Sequence, residues 1–459
     1  MRRPVAAMCG IAFATMPFAA IAQDGRPPAA PTTASSTEPP VPPVAPTTPA
    51  TPPPDAPSAQ PGAAQVAPQA TPPPPAGDEA LKERVRILEE RAAADENRAK
   101  EHVKDHWYDR IQLRGYTQFR YQRFAGHGAL RSPNDRSLGA DNGFLIRRAR
   151  LILFGEAHPH LSIYLQPDFA SVFTDVGNVA QLRDWYADVF LDKEKEFRFR
   201  VGQSKIPYGF ENMQSSQNRL PLDRSDGLNT AVKDERDIGV FAYYAPANMR
   251  KLFKHLVESG LKGSGDYGLA GFGVYNGQTA NQPEANEYRH FVARLAYAFE
   301  IGGQIMEVNA AAYGGMFRVK RGDKITVAPG ASGDLKDMRA GGALILYPQP
   351  IGLQVEYNWG IGPELEGSQV LNRPLEGGYA MTMMKLGPTM PYVRGLCYDG
   401  GRKQDTNSPR HQIKELEAGI EWQVFKALEL TASYAETKRQ VDTKEASGRW
   451  VRLQLQFNY

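Results

Sequence analysis

The sequence predicts an all-β fold: a sixteen-stranded antiparallel transmembrane β-barrel, preceded by an N-terminal Pro-rich linker and a short helix. Three observations predict it. Apolar and polar residues alternate with a period of two after Tyr108. The connections between those segments alternate between short and long. The last segment stops on an aromatic residue, Tyr459. Composition narrows the alternatives. Two cysteines in 459 residues exclude a disulfide-stapled scaffold, and 54 Lys+Arg against 51 Asp+Glu leave no bulk charge for nucleic acid, so no nucleic-acid partner is expected. Beyond the N-terminus no run approaches the roughly 18–20 apolar residues of a membrane-crossing helix. A barrel strand needs an apolar residue only at every second position.

Residues 1–22 read as a signal peptide. Arg2 and Arg3 give the positive start, Val5 to Phe18 the apolar core, and Ala20-Ile21-Ala22 the small-residue site, which places cleavage between Ala22 and Gln23. Cys9 lies inside that apolar core and is expected to leave with it. Residues 23–77 form the linker. Nineteen of the chain's 36 prolines fall between Asp24 and Gly77, a composition that buries no core and favours a disordered, semi-rigid tether. Contact with the cell wall is the sharper reading of the same stretch. Residues 78–107 turn abruptly to Ala, Glu, Lys and Arg. Leu81, Val85, Leu88 and Ala92 follow coiled-coil spacing, but its continuation through Asp95, Ala99 and His102 loses apolar character. The expectation is a short coiled-coil-like helix that oligomerises with help from the body behind it, or else a solvated single helix.

Residues 108–459 carry the barrel. Ile111, Leu113, Gly115, Thr117, Phe119 and Tyr121 alternate with Gln112, Arg114, Tyr116, Gln118, Arg120 and Gln122. Ile351 to Trp359 and Leu416 to Val424 repeat the pattern. One face suits lipid and the other a wet lumen. Strands are expected at 110–123, 143–156, 160–170, 181–192, 196–205, 236–246, 266–276, 288–300, 304–317, 338–348, 351–360, 376–387, 389–399, 411–424, 428–437 and 449–459. Tight connections such as His158-Pro159, Gly302-Gly303 and Lys426-Ala427 alternate with long ones such as Gly126 to Asn142, Ile206 to Arg236, Arg318 to Asp337 and Gly400 to Arg410. Short periplasmic turns and long extracellular loops have this asymmetry. Ala247 to Asp266 is too long for a turn, and Met249 to Leu261 is read as an inserted periplasmic helix. At the end Val451, Leu453, Leu455, Phe457 and Tyr459 alternate with Arg452, Gln454, Gln456 and Asn458. This resembles the terminal strand by which outer-membrane barrels are recognised for assembly, with Phe457 and Tyr459 as the signal to the β-barrel assembly machinery. An even strand count puts both ends on one side, and sixteen strands leave an aqueous channel.

Five blocks carry a family resemblance: Gly143-Phe144-Leu145-Ile146-Arg147-Arg148-Ala149-Arg150-Leu151, Gln166-Pro167-Asp168-Phe169-Ala170, Leu182-Arg183-Asp184-Trp185-Tyr186, Val201-Gly202-Gln203-Ser204-Lys205-Ile206-Pro207-Tyr208-Gly209 and Glu235-Arg236-Asp237-Ile238-Gly239-Val240. In this order and at these strands the chain resembles the phosphate- and polyphosphate-selective porins of the porin O/P type. The resemblance implies a homotrimer in the lipid of the bacterial outer membrane, passive diffusion of phosphate or other small anions, and no cofactor. It further implies an inward-folded third extracellular loop, here Ile206 to Arg236, and a ladder of arginines leading to a narrow site with lysines. Guanidinium forks and closely placed cations replace the water that an oxyanion gives up.

Strand parity directs Arg120, Arg148, Arg150, Arg198, Arg200 and Arg294 into the lumen. Arg147 has the opposite parity and needs a bulge or a subunit contact to join them. Lys205 precedes the third loop, while Arg219, Arg224, Lys233 and Arg236 belong to it. The loop also holds Glu211, Asp223, Asp226, Asp234 and Glu235, and Glu415, Glu417 and Glu421 line the lumen. Pairing of arginines with carboxylates, as in a general diffusion pore with an envelope-tethering linker, is therefore the alternative. An enzyme is not expected: the eight histidines are scattered and none sits in a hydrolase motif. His158-Pro159-His160 is a lone pair in a turn, so no metal is expected.

Overall fold

The computed structural model describes residues 78–102, 107–127, 142–173, 177–327 and 333–459. The expected signal peptide, with its cleavage site at Ala22 and Gln23, and the Pro-rich linker lie outside the described residues. By itself the N-terminal unit shows one helix, α1 (Asp78–His102), with Val85 and Leu88 exposed and Arg86 bridging Glu83 at 2.8 Å and Glu90 at 3.4 Å.

The second unit is a single antiparallel sheet closed on itself. Its barrel strands are β1 (Ile111–His127), β2 (Asn142–His158), β3 (Leu161–Phe173), β4 (Gly177–Phe190), β5 (Phe197–Lys205), β6 (Arg236–Tyr244), β7 (Ala270–Tyr275), β8 (His290–Ile301) and β9 (Gln304–Arg318). They continue as β11 (Asp334–Leu346), β12 (Ile351–Glu366), β13 (Gln369–Met384), β14 (Thr389–Gly401), β15 (Arg410–Phe425), β16 (Leu428–Val441) and β17 (Lys444–Asn458). A two-residue β10 (Thr326–Val327) lies outside the wall and pairs in parallel with β13. The remaining sixteen strands form the barrel, and the β1–β17 pairing, from Tyr116↔Asn458 to His127↔Ser447, closes it.

The period of two decides which way each side chain faces. On β1, Tyr116, Gln118, Arg120 and Gln122 are buried, whereas Leu113 and Phe119 are exposed on the outer face. On β15, Glu415, Glu417 and Glu421 point in, and Leu416, Ile420 and Trp422 point out. Phe457 and Tyr459 are also on the outer face, and Tyr459 pairs by backbone with Gly115 at 2.6 and 3.0 Å. At the end that carries the chain terminus the turns are tight. Gly302 and Gly303 form the two-residue turn from β8 to β9, and both have positive φ (58° and 83°), which side chains would resist.

Strand ends at the other rim differ from expectation. Residues 361–375 and 438–448 fell outside the predicted strands. In the structure they continue β12–β13 and β16–β17 as long hairpins that turn at Gly367-Ser368 and Asp442-Thr443. Charged residues break the apolar alternation there, yet they pair within the hairpins, as Lys438 does with Glu445 at 3.8 Å and Arg373 with Glu366. Strand pairing needs no lipid, so it outlasts the apolar band.

Two segments fill part of the lumen. The first is the long connection from β5 to β6, which includes the single turn α2 (Asp226–Asn229). It folds inward and is buried along almost all its length. Ile206, Tyr208, Leu220, Leu228 and Val232 pack on aromatic and methionine side chains of the wall, among them Tyr313, Tyr379, Met381 and Tyr392. Gly227 meets β13 so closely that a Cβ would lie 2.8 Å from the carbonyl carbon of Gly377. The second segment joins β6 to β7 and contains α3 (Ala247–Glu258), in the place where a helix over 249–261 was read from the sequence. Phe253 and Leu256 of α3 pack with Phe210 of the inward loop and Tyr347 of the wall.

Candidate functional site

A narrow cavity sits between the inward loop and the strands β2–β4, lined by Arg147, Arg148, Arg150, Asp168, Arg183, Ser216, Arg219, Asp223, Arg224, Asn229, Asp234, Glu235 and Arg402. Seven arginines there face four carboxylates, so the space carries a positive potential. A larger cavity, about 320 Å³, lies toward the chain-terminus end. It is bounded by Arg114, Arg150, Arg200, Lys205, Arg236, Asp184, Asp266 and three tyrosines, Tyr164, Tyr186 and Tyr267. Arg150 and Ser216, hydrogen-bonded to each other at 3.1 Å, border both, so the two chambers adjoin.

Two β-bulges build the first chamber. Between β1 and β2 the register jumps from Gln118↔Arg148 to Phe119↔Ile146, and Arg147 is the extra residue. Between β3 and β4 it jumps from Gln166↔Asp184 to Pro167↔Leu182, which leaves Arg183 unmatched. Pro167 has no N–H to continue the ladder. Each bulge rotates a residue of the wrong parity toward the lumen, and the two arginine side chains are only 12% and 6% exposed. A bulge, the first of the two devices considered for Arg147, thus brings it in.

The individual arginines differ sharply in their partners. Arg120 donates to Asp223 at 3.0 Å and to Gln454 at 3.0 and 3.1 Å. Arg150 donates to Asp168 at 2.8 Å, to the Tyr116 hydroxyl at 2.7 Å and to the Ser216 hydroxyl at 3.1 Å. Arg200 grips Asp188 through two bonds of 2.7 and 2.8 Å and stacks 3.8 Å above the Tyr186 ring. Arg198 pairs with Asp266 at 2.8 Å, and Arg236 with Asp184 at 2.9 Å and Glu235 at 2.8 Å. Arg224 holds Asn212, Asn229 and Glu235 within the loop at 2.7–2.9 Å. Arg148 stands apart. It is buried, its single hydrogen bond goes to the Gln118 side-chain oxygen at 2.6 Å, and no carboxylate among the described residues lies within ion-pair distance. The cations Arg147, Arg150 and Arg219 surround it, and the Asp223 carboxylate lies nearby but beyond ion-pair distance. Arg219 Nη1 has no hydrogen-bond acceptor, and the nearest carboxylate oxygen, on Glu235, is 3.7 Å away.

Other sequence candidates lie elsewhere. Lys205 borders the larger chamber, but its ammonium faces the loop. It donates to the carbonyls of Asn212, Met213 and Gln214 at 2.8, 3.2 and 2.7 Å and lies 3.1 Å from Glu235. A compact three-donor head satisfies a loop of converging carbonyls better than a planar fork would. Arg294 faces inward but lines neither chamber, bonded to the Gly268 carbonyl at 3.0 Å and 3.6 Å from Glu307. Lys233 lies in a short 3-10 turn, Lys233–Glu235, and its side chain is outside the described atoms. Arg183 and Arg402 are lining residues that the sequence reading did not single out. For Arg183 the signal was the adjacency of two polar residues, Arg183-Asp184, inside an otherwise alternating strand.

Carboxylates of the loop hold its shape. Burial raises the affinity of Asp223 for a proton, but Arg120, Arg147 and Arg452 outweigh it and keep the carboxyl below its ordinary range. Burial acts on Glu235 in the same sense, and Arg224, Lys205 and Arg236 hold it well below that range. Both are therefore anions at neutral pH.

The residues that match the family are now placed: the bulged arginines, the inward loop and the closing strand. A model of the family described as phosphate-selective porin O and P matches residues 117–459. The chain belongs to that family. It is accordingly an outer-membrane porin, a channel built as a closed barrel. Among solved structures, the outer membrane channel DcaP of Acinetobacter baumannii is similar at 12% identity over 76% of this chain and 97% of its own, with a TM-score of 0.49. Salmonella typhi OmpF in complex with daunomycin is similar at 11% identity over 76% and 97%, with a TM-score of 0.48. An anion-selective porin from Comamonas acidovorans is similar at 11% identity over 76% and 99%, with a TM-score of 0.45. No match was found among curated proteins.

Buried charges on this porin's wall divide unevenly. Strands β1–β6 bury eight basic groups (Arg120, Arg148, Arg150, Arg183, Arg198, Arg200, Lys205, Arg236) against four acidic ones (Asp168, Asp184, Asp188, Asp237). The strands from β7 to β17 bury five arginines (Arg294, Arg339, Arg394, Arg439, Arg452) against ten carboxylates, Glu307, Asp334, Asp337, Glu356, Glu364, Asp399, Glu415, Glu417, Glu421 and Glu429. Both chambers lie along the basic half.

Proposed function

We propose that this porin lets small anions diffuse passively across the outer membrane, with phosphate or polyphosphate first among them. Arg148 carries the reading. A guanidinium buried beside three other cations, hydrogen-bonded to one amide oxygen and with its nearest carboxylate, Asp223, out of ion-pair reach, is costly unless something supplies more negative charge and acceptors. An oxyanion entering the first chamber does both, and Nη1 of Arg219, without a hydrogen-bond acceptor, offers a second donor. The family description favours phosphate among oxyanions. We further read the assembly as a homotrimer. Export runs through a signal peptide cleaved after Ala22, the assembly machinery engages the strand that carries Phe457 and Tyr459, and the linker reaches toward the cell wall.

A general diffusion pore is the second reading, and one observation favours it: Arg150, Arg200 and Arg236 are already neutralised by Asp168, Asp188 and Asp184. Single-channel recording in planar bilayers separates the two. With phosphate titrated into chloride, the expected result is anion preference and progressive block of the chloride current. Cation preference without block would leave only the general pore.

A further inference from the structure

The segment between β6 and β7 is more elaborate than a turn requires. Phe253, Leu256 and Leu261 pack beneath the inward loop against Phe210 and Tyr347. Polar ties then carry the segment across the lumen. Lys262 Nζ lies 2.5 and 2.7 Å from the two carboxylate oxygens of Glu421 on β15, and Lys385 Nζ donates to the Ser259 carbonyl at 2.6 Å. The Gln214 side-chain amide donates to the Lys262 carbonyl at 2.7 Å, which joins the segment to the inward loop. The wall it covers is the acidic half: Glu307, Glu421 and Glu429 are all buried. The passage that stays open at this level skirts the segment's edge at Ser264 to Tyr267, on the arginine side.

Resting on the anion-channel reading, we propose that this segment is a selectivity element that hides the carboxylate-rich half of the lumen from permeating ions, with Lys262 and Glu421 as the positioning pair that holds it in place. Carboxylates facing a water-filled route attract cations and repel anions. Uncovering them would open a second route beside the first. Conductances of parallel routes add, while their opposite preferences offset one another.

The test is reversal potential and single-channel conductance in a KCl gradient, with heat-dependent gel migration confirming a folded barrel. The proteins are the wild type, an excision of residues 248–264 closed by a Gly-Ser turn, and Lys262→Met/Glu421→Met. Both variants are expected to raise conductance about twofold or more and to move the anion-to-cation ratio toward one. Adding Glu307→Gln and Glu429→Gln to the excision is expected to restore anion preference at the raised conductance, and Lys262→Arg to behave as wild type. Wild-type conductance and ratio in both variants overturn the proposal, and so does raised conductance with an unchanged ratio. A wild-type channel without anion preference overturns the anion reading instead; raised conductance in the excision would then still identify the segment as a plug.

Discussion

Arg148→Ala is expected to weaken the phosphate block of chloride current by about ten- to a hundredfold, the loss that follows when charged hydrogen bonds of roughly 1.5–3 kcal/mol are removed. The reason lies in its surroundings. Arg120, Arg150, Arg200 and Arg236 each hold a carboxylate at 3.0 Å or less, so an incoming anion must compete for them. Arg148 has only the Gln118 oxygen to give up. Arg148→Lys should fall between, since it keeps the charge but loses the two-pronged donor. The measurement is the half-blocking phosphate concentration for the three proteins. Equal values for wild type and Arg148→Ala would place the anion's stopping point elsewhere.

Asp223→Asn is expected to release the inward loop. Asp223 lies 3.0 Å from Arg120 on β1, 2.8 Å from Arg452 on β17 and 3.6 Å from Arg147 in the β2 bulge. The amide keeps the volume but leaves three buried guanidiniums without their shared counter-charge. Breaking one side of a buried ion pair costs about 3–5 kcal/mol, enough to undock a loop even though its apolar residues still favour the wall. Higher conductance with frequent flicker is expected, together with new trypsin cleavage after Arg219 or Arg224 in intact membranes. A quiet channel of wild-type conductance that resists trypsin would show that the apolar contacts alone hold the loop.

Much of the wall was legible because its physics is local. Lipid outside and water inside impose a period of two, and that period assigned Arg120, Arg148, Arg150, Arg198, Arg200 and Arg294 to the lumen face on which all six are buried. It failed at the outer hairpins, where strand pairing continues beyond the lipid and charged pairs replace the apolar rhythm. The site itself was only partly legible. The adjacent pairs Arg147-Arg148 and Arg183-Asp184 break the rhythm, but a bulge is a property of two strands together. The partner residues sit far away in sequence. Asp223 meets Arg452 across 229 positions, and Glu356 accepts the backbone N–H groups of Phe210 and Glu211 across about 145. Lys205 shows how little position alone says about contacts. Its position before the loop suggested a pore lysine, whereas the loop curls back within ten residues and surrounds it with carbonyls.

The most direct measurement is a crystal structure of the detergent-solubilised porin soaked with an oxyanion whose heavy central atom scatters anomalously, such as selenate or arsenate. The account expects an anomalous peak in the first chamber, with oxygens in hydrogen-bond reach of Arg148 and of Nη1 of Arg219, on the β2–β4 side of the inward loop. A lumen whose only peaks lie at the outer mouth or along the β7–β17 wall would contradict it.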